Sequence, residues 1–141
     1  MNWILLAILT AFFYGTYNVF IKVSSGHINQ IVGAVILQVV AALVGSLVLV
    51  FLKITNSPLV ISQKGVVYAI FAGIAVGLAE ITSFYVFSKG VSISVGLPII
   101  IGGSVLVGAI LGLTFLGETP NPIHYLGIAT IIAGIIILTI K

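Results

Sequence analysis

Glu80 is the one side chain in this sequence that carries a formal charge deep inside an apolar run. Its run, Val66–Ser88, holds no other charged residue and is centred near Gly77. Glu80 lies three residues from that centre; at ~1.5 Å rise per helical residue this is about 5 Å from the middle. A charged side chain at such a depth in a bilayer costs at least about 2.5 kcal/mol, so acids found there face a bundle interior and mark a transport path. Two readings are open. Glu80 is a protonated structural acid hydrogen-bonded to a neighbouring helix, or a carboxyl facing a water-filled cavity where proton and substrate compete for it.

Helical spacing sets Gly73, Val76, Gly77, Ser83, Phe84 and Phe87 beside Glu80. Gly73 and Gly77 form a GxxxG pair, which permits close approach of another helix, so Glu80 extends a small-residue face and not a lipid face. In the first apolar run, Thr10, Phe13, Tyr14, Tyr17 and Asn18 fall on one side. Their hydroxyls, rings and amide suit a substrate of mixed polarity. Tyr17 and Asn18 also suit the interfacial belt, whereas Tyr14 lies about two turns inside the run. Gln38 is the strong polar residue of the second run, with Ala34, Ala41, Ala42 and Gly45 on its side. It reads equally as glue between helices or as pore lining. Gly108 and Gly112 make a further GxxxG, most simply a packing surface. Lys22 snorkels to the interface or binds an anionic headgroup or substrate. Glu118 lies in a short polar turn.

The inventory excludes most other chemistry. The chain has no cysteine, two separated histidines (His27, His124) and two acids among its 141 residues. No disulfide, thiolate or metal-ligand cluster can be assembled from these, and no cofactor is expected. No glycine-rich phosphate loop precedes a lysine. The five lysines are scattered singly and form no basic patch for nucleic acid. One buried acid without a partner base or nucleophile offers little for catalysis, so an enzyme is the weakest reading.

The elements that position these residues are membrane helices. The sequence is 61% hydrophobic and 5% charged, with a mean hydropathy of +1.41; soluble domains are about 45–50% apolar. Five apolar runs have spanning length: Trp3–Ile21, Ile31–Leu52, Val66–Ser88, Val91–Leu116 and Ile123–Ile140. The runs are continuous, unlike the alternating strands of a barrel. The first lacks a basic residue ahead of it and a small-residue cleavage site, so it reads as a retained helix. Punctuation falls at Ser24 through His27, at Asn56-Ser57-Pro58, at Lys89-Gly90 and at Gly117 through Pro122. Asn121 and Pro122 suit the N-cap and first helical position. Pro98 predicts a kink or an unwound stretch between Ser94 and Pro98.

Five spans put the termini on opposite faces. Lys53, Lys64 and Glu118 share the face of the N-terminus, and Lys22, Lys89 and Lys141 the other. Two lysines against three is almost no orientation bias. Either a partner or a dominant loop fixes the orientation, or the chain inserts both ways and pairs with an inverted copy of itself.

The Trp3 start, Asn18 followed by Lys22, "FYVFSKGVSISVGLP" (Phe84–Pro98) and "FLGETPNPIHYLGIATIIAGIIIL" (Phe115–Leu138) together resemble the EamA-type half of the drug/metabolite transporter superfamily. The Leu-Gly-Glu turn and the spaced Gly127 and Gly134 belong to that likeness, which covers essentially the whole chain as a single domain over 1–141. The resemblance implies a secondary transporter fold of ten helices in two inverted five-helix repeats, of which this chain supplies one. It therefore implies an inverted homodimer or a homologous partner half in the lipid bilayer, with the substrate site near the midplane. The expectation is an all-α multi-pass protein of the plasma or inner membrane that transports small metabolites or amphipathic compounds, with Glu80 coupling protons or substrate. The alternative is a non-catalytic membrane subunit packed against a larger complex, its glycine faces serving a partner.

Overall fold

The computed structural model describes residues 2–140; the expectation for Lys141 lies outside them. They form five helices and, among the described residues, no strand: α1 Trp3–Ser24, α2 Gln30–Ile54, α3 Gln63–Ser88, α4 Ile93–Phe115 and α5 Pro122–Thr139. All five are long and apolar enough to cross a bilayer. Each expected run became a helix, with ends displaced by a few residues.

The displacements have local causes. Asn2 Oδ1 accepts from Ile4 N at 3.1 Å and opens α1. Asn29 caps α2, Ser62 caps α3 and Asn121 caps α5, each accepting from a backbone N–H of the first turn. The caps on α2 and α3 draw polar residues, Gln30 and Gln63, into the helices ahead of the apolar runs. At the end of α2, Asn56 turns to φ 52°. Its N–H reaches Lys53 O at 3.2 Å while Ser57 N reaches Leu52 O at 3.0 Å, the paired bonds that close a helix end. Gly90 plays the same part after α3 at φ 85°, donating to Phe87 O at 3.1 Å.

The expectation of an unwound stretch before Pro98 is corrected: α4 begins at Ile93 and runs through Pro98 without a break. Gly96 N and Val95 N both bond Ser92 O, so the first turn is closed before the proline is reached. Pro98 then withholds only the donor that would have met Ser94 O.

The chain divides into two compact units, one of residues 1–18 with 91–141 and the other Val19–Gly90. In the first, α4 packs on α5, where a β-carbon on Gly102 would lie 2.6 Å from Ile135 Cδ1. In the second, α2 packs on α3. Contacts of Gly33 with Phe84 and of Gln38 with Gly77 run in opposite directions along the two helices, so the pair is antiparallel. Among the described residues, Ile21, Ala34, Phe84 and Phe87 are the buried apolar side chains. Most others, such as Leu43, Leu47 and Phe51 on α2 and Ile70, Phe71 and Ile74 on α3, are exposed. That distribution suits hydrocarbon as solvent, because each helix satisfies its own backbone polar groups.

Gly33 is the tightest point of the α2–α3 contact. A β-carbon there would lie 2.5 Å from Phe84 Cε1 and 2.8 Å from its Cζ, and the Phe84 ring is buried. Overpacking of this kind costs about 1–3 kcal/mol. Gly33→Ala is expected to lower the thermal midpoint in lipid or detergent, whereas Gly45→Ala, which meets nothing within 4 Å, leaves it in place. Equal midpoints for the two variants would contradict the packing described.

Candidate functional site

Glu80 is 7% exposed and lies on the buried side of α3 with Ser83, Phe84 and Phe87. Of the neighbours that helical spacing sets beside Glu80, Ser83, Phe84 and Phe87 share its buried side, whereas Gly73 and Val76 are exposed. Because α3 starts at Gln63, Glu80 stands between four and five residues beyond the helix middle, about 7 Å along its axis. That offset from the middle is slightly larger than the apolar run alone suggests and still lies well inside a ~30 Å hydrocarbon layer.

Gln38 joins Glu80 within the same unit. It lies four residues before the middle of α2, about 6 Å along the axis. Since α2 and α3 are antiparallel, both polar groups fall on the same side of the midplane and at nearly the same depth. Gln38 is half-buried, with Oε1 3.3 Å from where a β-carbon of Gly77 would be. Gly77, one turn from Glu80, thus makes room for the carboxamide. Gly73, the other half of that GxxxG, meets nothing within 4 Å.

The hydrogen bonding of Gln38 differs from that of six hydroxyls in the spans. Thr10, Thr16, Ser46, Thr82, Thr114 and Thr130 donate to the carbonyl four residues earlier on their own helices. Gln38 makes no hydrogen bond among the described residues. A polar group left so in hydrocarbon costs about 1–3 kcal/mol or more until it finds a partner.

Tyr14, Tyr17 and Asn18 belong to the other compact unit. There the rings of Tyr14 and Tyr17 meet edge to face with centroids 5.4 Å apart. Asn18 is 2% exposed and donates from Nδ2 to Tyr14 O at 2.8 Å, folding back on its own helix. Tyr14 is 47% exposed, so its hydroxyl and ring face outward while the amide beside it is enclosed.

Two residues behave differently from their sequence readings. Lys22 has a partner that neither reading contains. It is half-buried and donates from Nζ to Phe87 O at 3.2 Å. The cation sits where the α3 dipole is negative and ties the end of α1 to the end of α3. Gly112 is enclosed by its own chain: a β-carbon there would lie 2.6 Å from Glu118 Oε2. The last turn of α4 widens, with Leu116 N on Leu111 O at 3.4 Å and Glu118 N on Gly112 O at 3.0 Å. Gly117 at φ 65° reverses the chain and folds Glu118 over α4. Gly108 meets nothing within 4 Å. Of the four glycines expected on packing faces, Gly77 and Gly112 are thus occupied from within the chain, and Gly73 and Gly108 are open.

Among the described residues no cluster of three or more His, Cys, Asp or Glu could hold a metal. The chemistry available at the Glu80 level is one carboxyl and one carboxamide in an apolar wall. Such a wall can bind or exchange a proton or a cationic, hydrogen-bonding group.

Comparison with known proteins adds the family. The EamA-like transporter family matches residues 1–140. No curated protein and no solved structure matches the chain. Five membrane-length helices fit a single EamA half, and the chain belongs to the EamA-like transporter family, an integral multi-pass membrane protein of the drug/metabolite transporter type.

Proposed function

We propose that the chain is a secondary transporter of small metabolites or amphipathic compounds in a plasma or inner membrane, working as an inverted homodimer with Glu80 as its coupling residue. The observation that carries the reading is the burial of Glu80 on α3, within the apolar stretch Val66–Ser88 that holds no other formal charge. Acids in that position are expensive to ionise and are therefore kept where ionisation is used. Glu80 holds a proton while the site faces one side and exchanges it for substrate on the other. A pathway near the midplane between inverted repeats needs a polar wall at that depth, and Glu80 with Gln38 supplies one half of it.

Liposomes reconstituted with this chain alone test the reading. An imposed pH gradient is expected to drive uptake of an amphipathic probe, with matching proton movement in the opposite direction. Liposomes that hold correctly assembled chain but show neither flux would instead favour a subunit whose glycine faces serve a partner complex.

A further inference from the structure

We propose that Ser83 relays protons between Glu80 and the aqueous face at the C-terminal end of α3, its hydroxyl holding a water on that route. The inference rests on the transport reading above and adds the side from which Glu80 gains and loses its proton.

Ser83 is 9% exposed, yet its hydroxyl makes no hydrogen bond among the described residues. Every other serine or threonine within the five helices has one. Ten donate to a carbonyl of their own helix, and Ser94 donates to Ser92 Oγ. The neighbouring threonine explains the exception. Thr82 Oγ1 donates to Ala79 O at 2.9 Å, the carbonyl that Ser83 would otherwise use. The second lone pair of that carbonyl is taken by the backbone N–H of Ser83, four residues on. A buried hydroxyl left so costs about 1–3 kcal/mol, and water meets it where other polar groups are near.

Position gives that water a use. On the N-terminal side of Glu80, its helical neighbours Gly73, Val76 and Gly77 have no polar side chain. On the C-terminal side stands Ser83, about 4.5 Å along the axis, and the helix ends at Ser88 about 7.5 Å further on. Lys22 Nζ lies on Phe87 O at that end, with Lys89 at the cap. The other cations of α2 and α3, Lys53 and Lys64, are at the opposite end of the pair. Side chains three apart on a helix are ~5–6 Å apart at Cβ, so one hydrogen bond or one water joins Ser83 to Glu80. A proton leaving Glu80 is taken by a lone pair of Ser83 Oγ while the hydroxyl's own proton passes to water beyond. The serine ends neutral, Glu80 carries the charge, and rotation of the hydroxyl resets the relay.

The experiment follows the protonated carboxyl of Glu80 by time-resolved infrared spectroscopy after a pH jump, on the full chain in lipid nanodiscs. Glu80→Gln identifies its band against that of Glu118. Ser83→Ala is expected to slow the change about a hundredfold, the lower end of what a positioned proton-transfer group contributes. The pH midpoint of the band and the thermal midpoint should both hold, because a relay alters the route and not its ends. Ser83→Thr keeps a hydroxyl and should retain most of the wild-type rate; slowing equal to that of Ser83→Ala would overturn the relay. An unchanged rate in Ser83→Ala overturns it too and leaves the transport reading in place. A moved pH midpoint overturns it in favour of a hydroxyl bound to the carboxyl itself, and a lowered thermal midpoint in favour of a packing role. A Glu80 band that no pH alters sinks the relay together with the coupling reading.

Discussion

Glu80→Gln is expected to assemble like the wild type yet fail to concentrate substrate against a gradient. Glutamine keeps the shape of the side chain and its capacity for hydrogen bonding, and removes only ionisation. Because a charge at this depth costs about 2.5 kcal/mol or more, a neutral amide does not weaken the fold, and the thermal midpoint should hold or rise. Coupling is another matter. One proton exchanged across one pH unit supplies about 1.4 kcal/mol, which supports roughly tenfold accumulation. The variant should lose that factor entirely and equilibrate its probe, while exchange of labelled for unlabelled compound persists. Wild-type affinity should vary with pH across the titration of Glu80, and the glutamine variant should not reproduce the change. Undiminished pH-driven uptake by Glu80→Gln would return Glu80 to a structural role and leave the chain a transporter without an assigned coupling residue.

Much of this site can be read in the sequence because hydrocarbon simplifies the rules. Continuous apolar runs mark spans without reference to partners, and helical spacing alone places Ser83, Phe84 and Phe87 on the side of Glu80, where the structure buries them. Asn121 and Pro122 act at the start of α5 as their types suggest, the cap accepting from Ile123 N. What spacing misses is long-range. Phe87 O lies 65 residues from Lys22, and nothing local to Lys22 distinguishes a lysine that snorkels from one that closes another helix. Gly33 carries no periodic signal either; its need for hydrogen in place of a side chain arises only when the Phe84 ring arrives from α3.

Gly112 shows the converse error. Its spacing from Gly108 matches a helix-dimer motif, yet the space it leaves is filled by Glu118 of its own chain. A bulky residue at Gly112 therefore reports on the α4–α5 turn before it reports on assembly. Pro98 was expected to loosen α4, but its place in the second helical turn leaves a single carbonyl without its donor. Gln38 had two equal readings in sequence. Its position over Gly77 shows which neighbour it faces, a fact no pattern within α2 contains.

Both orientations of the chain are expected in the membrane, and forcing one of them should abolish function. Two lysines against three on the two faces give the insertion machinery almost nothing to choose by. The native chain has no cysteine, so single cysteines report cleanly. His27→Cys in the α1–α2 loop and Val60→Cys in the α2–α3 loop are both at exposed positions. Each should label partially with an impermeant reagent in intact cells. Complete labelling of one position and none of the other would sink the dual orientation. Charge can then be added where structure tolerates it. Gly26 and His27 are exposed, with nothing within 4 Å of a β-carbon at Gly26, and Val60 and Ile61 are 94% and 81% exposed. Gly26→Lys with His27→Lys biases one way, and Val60→Lys with Ile61→Lys the other. Each pair alone should drive one orientation and reduce uptake at least tenfold, because an inverted partner is missing. Expressed together, the two should restore uptake, as two non-inverted populations could not. Full uptake by either variant alone, with its single orientation verified by labelling, would mean that the working assembly is not built from inverted copies of this chain.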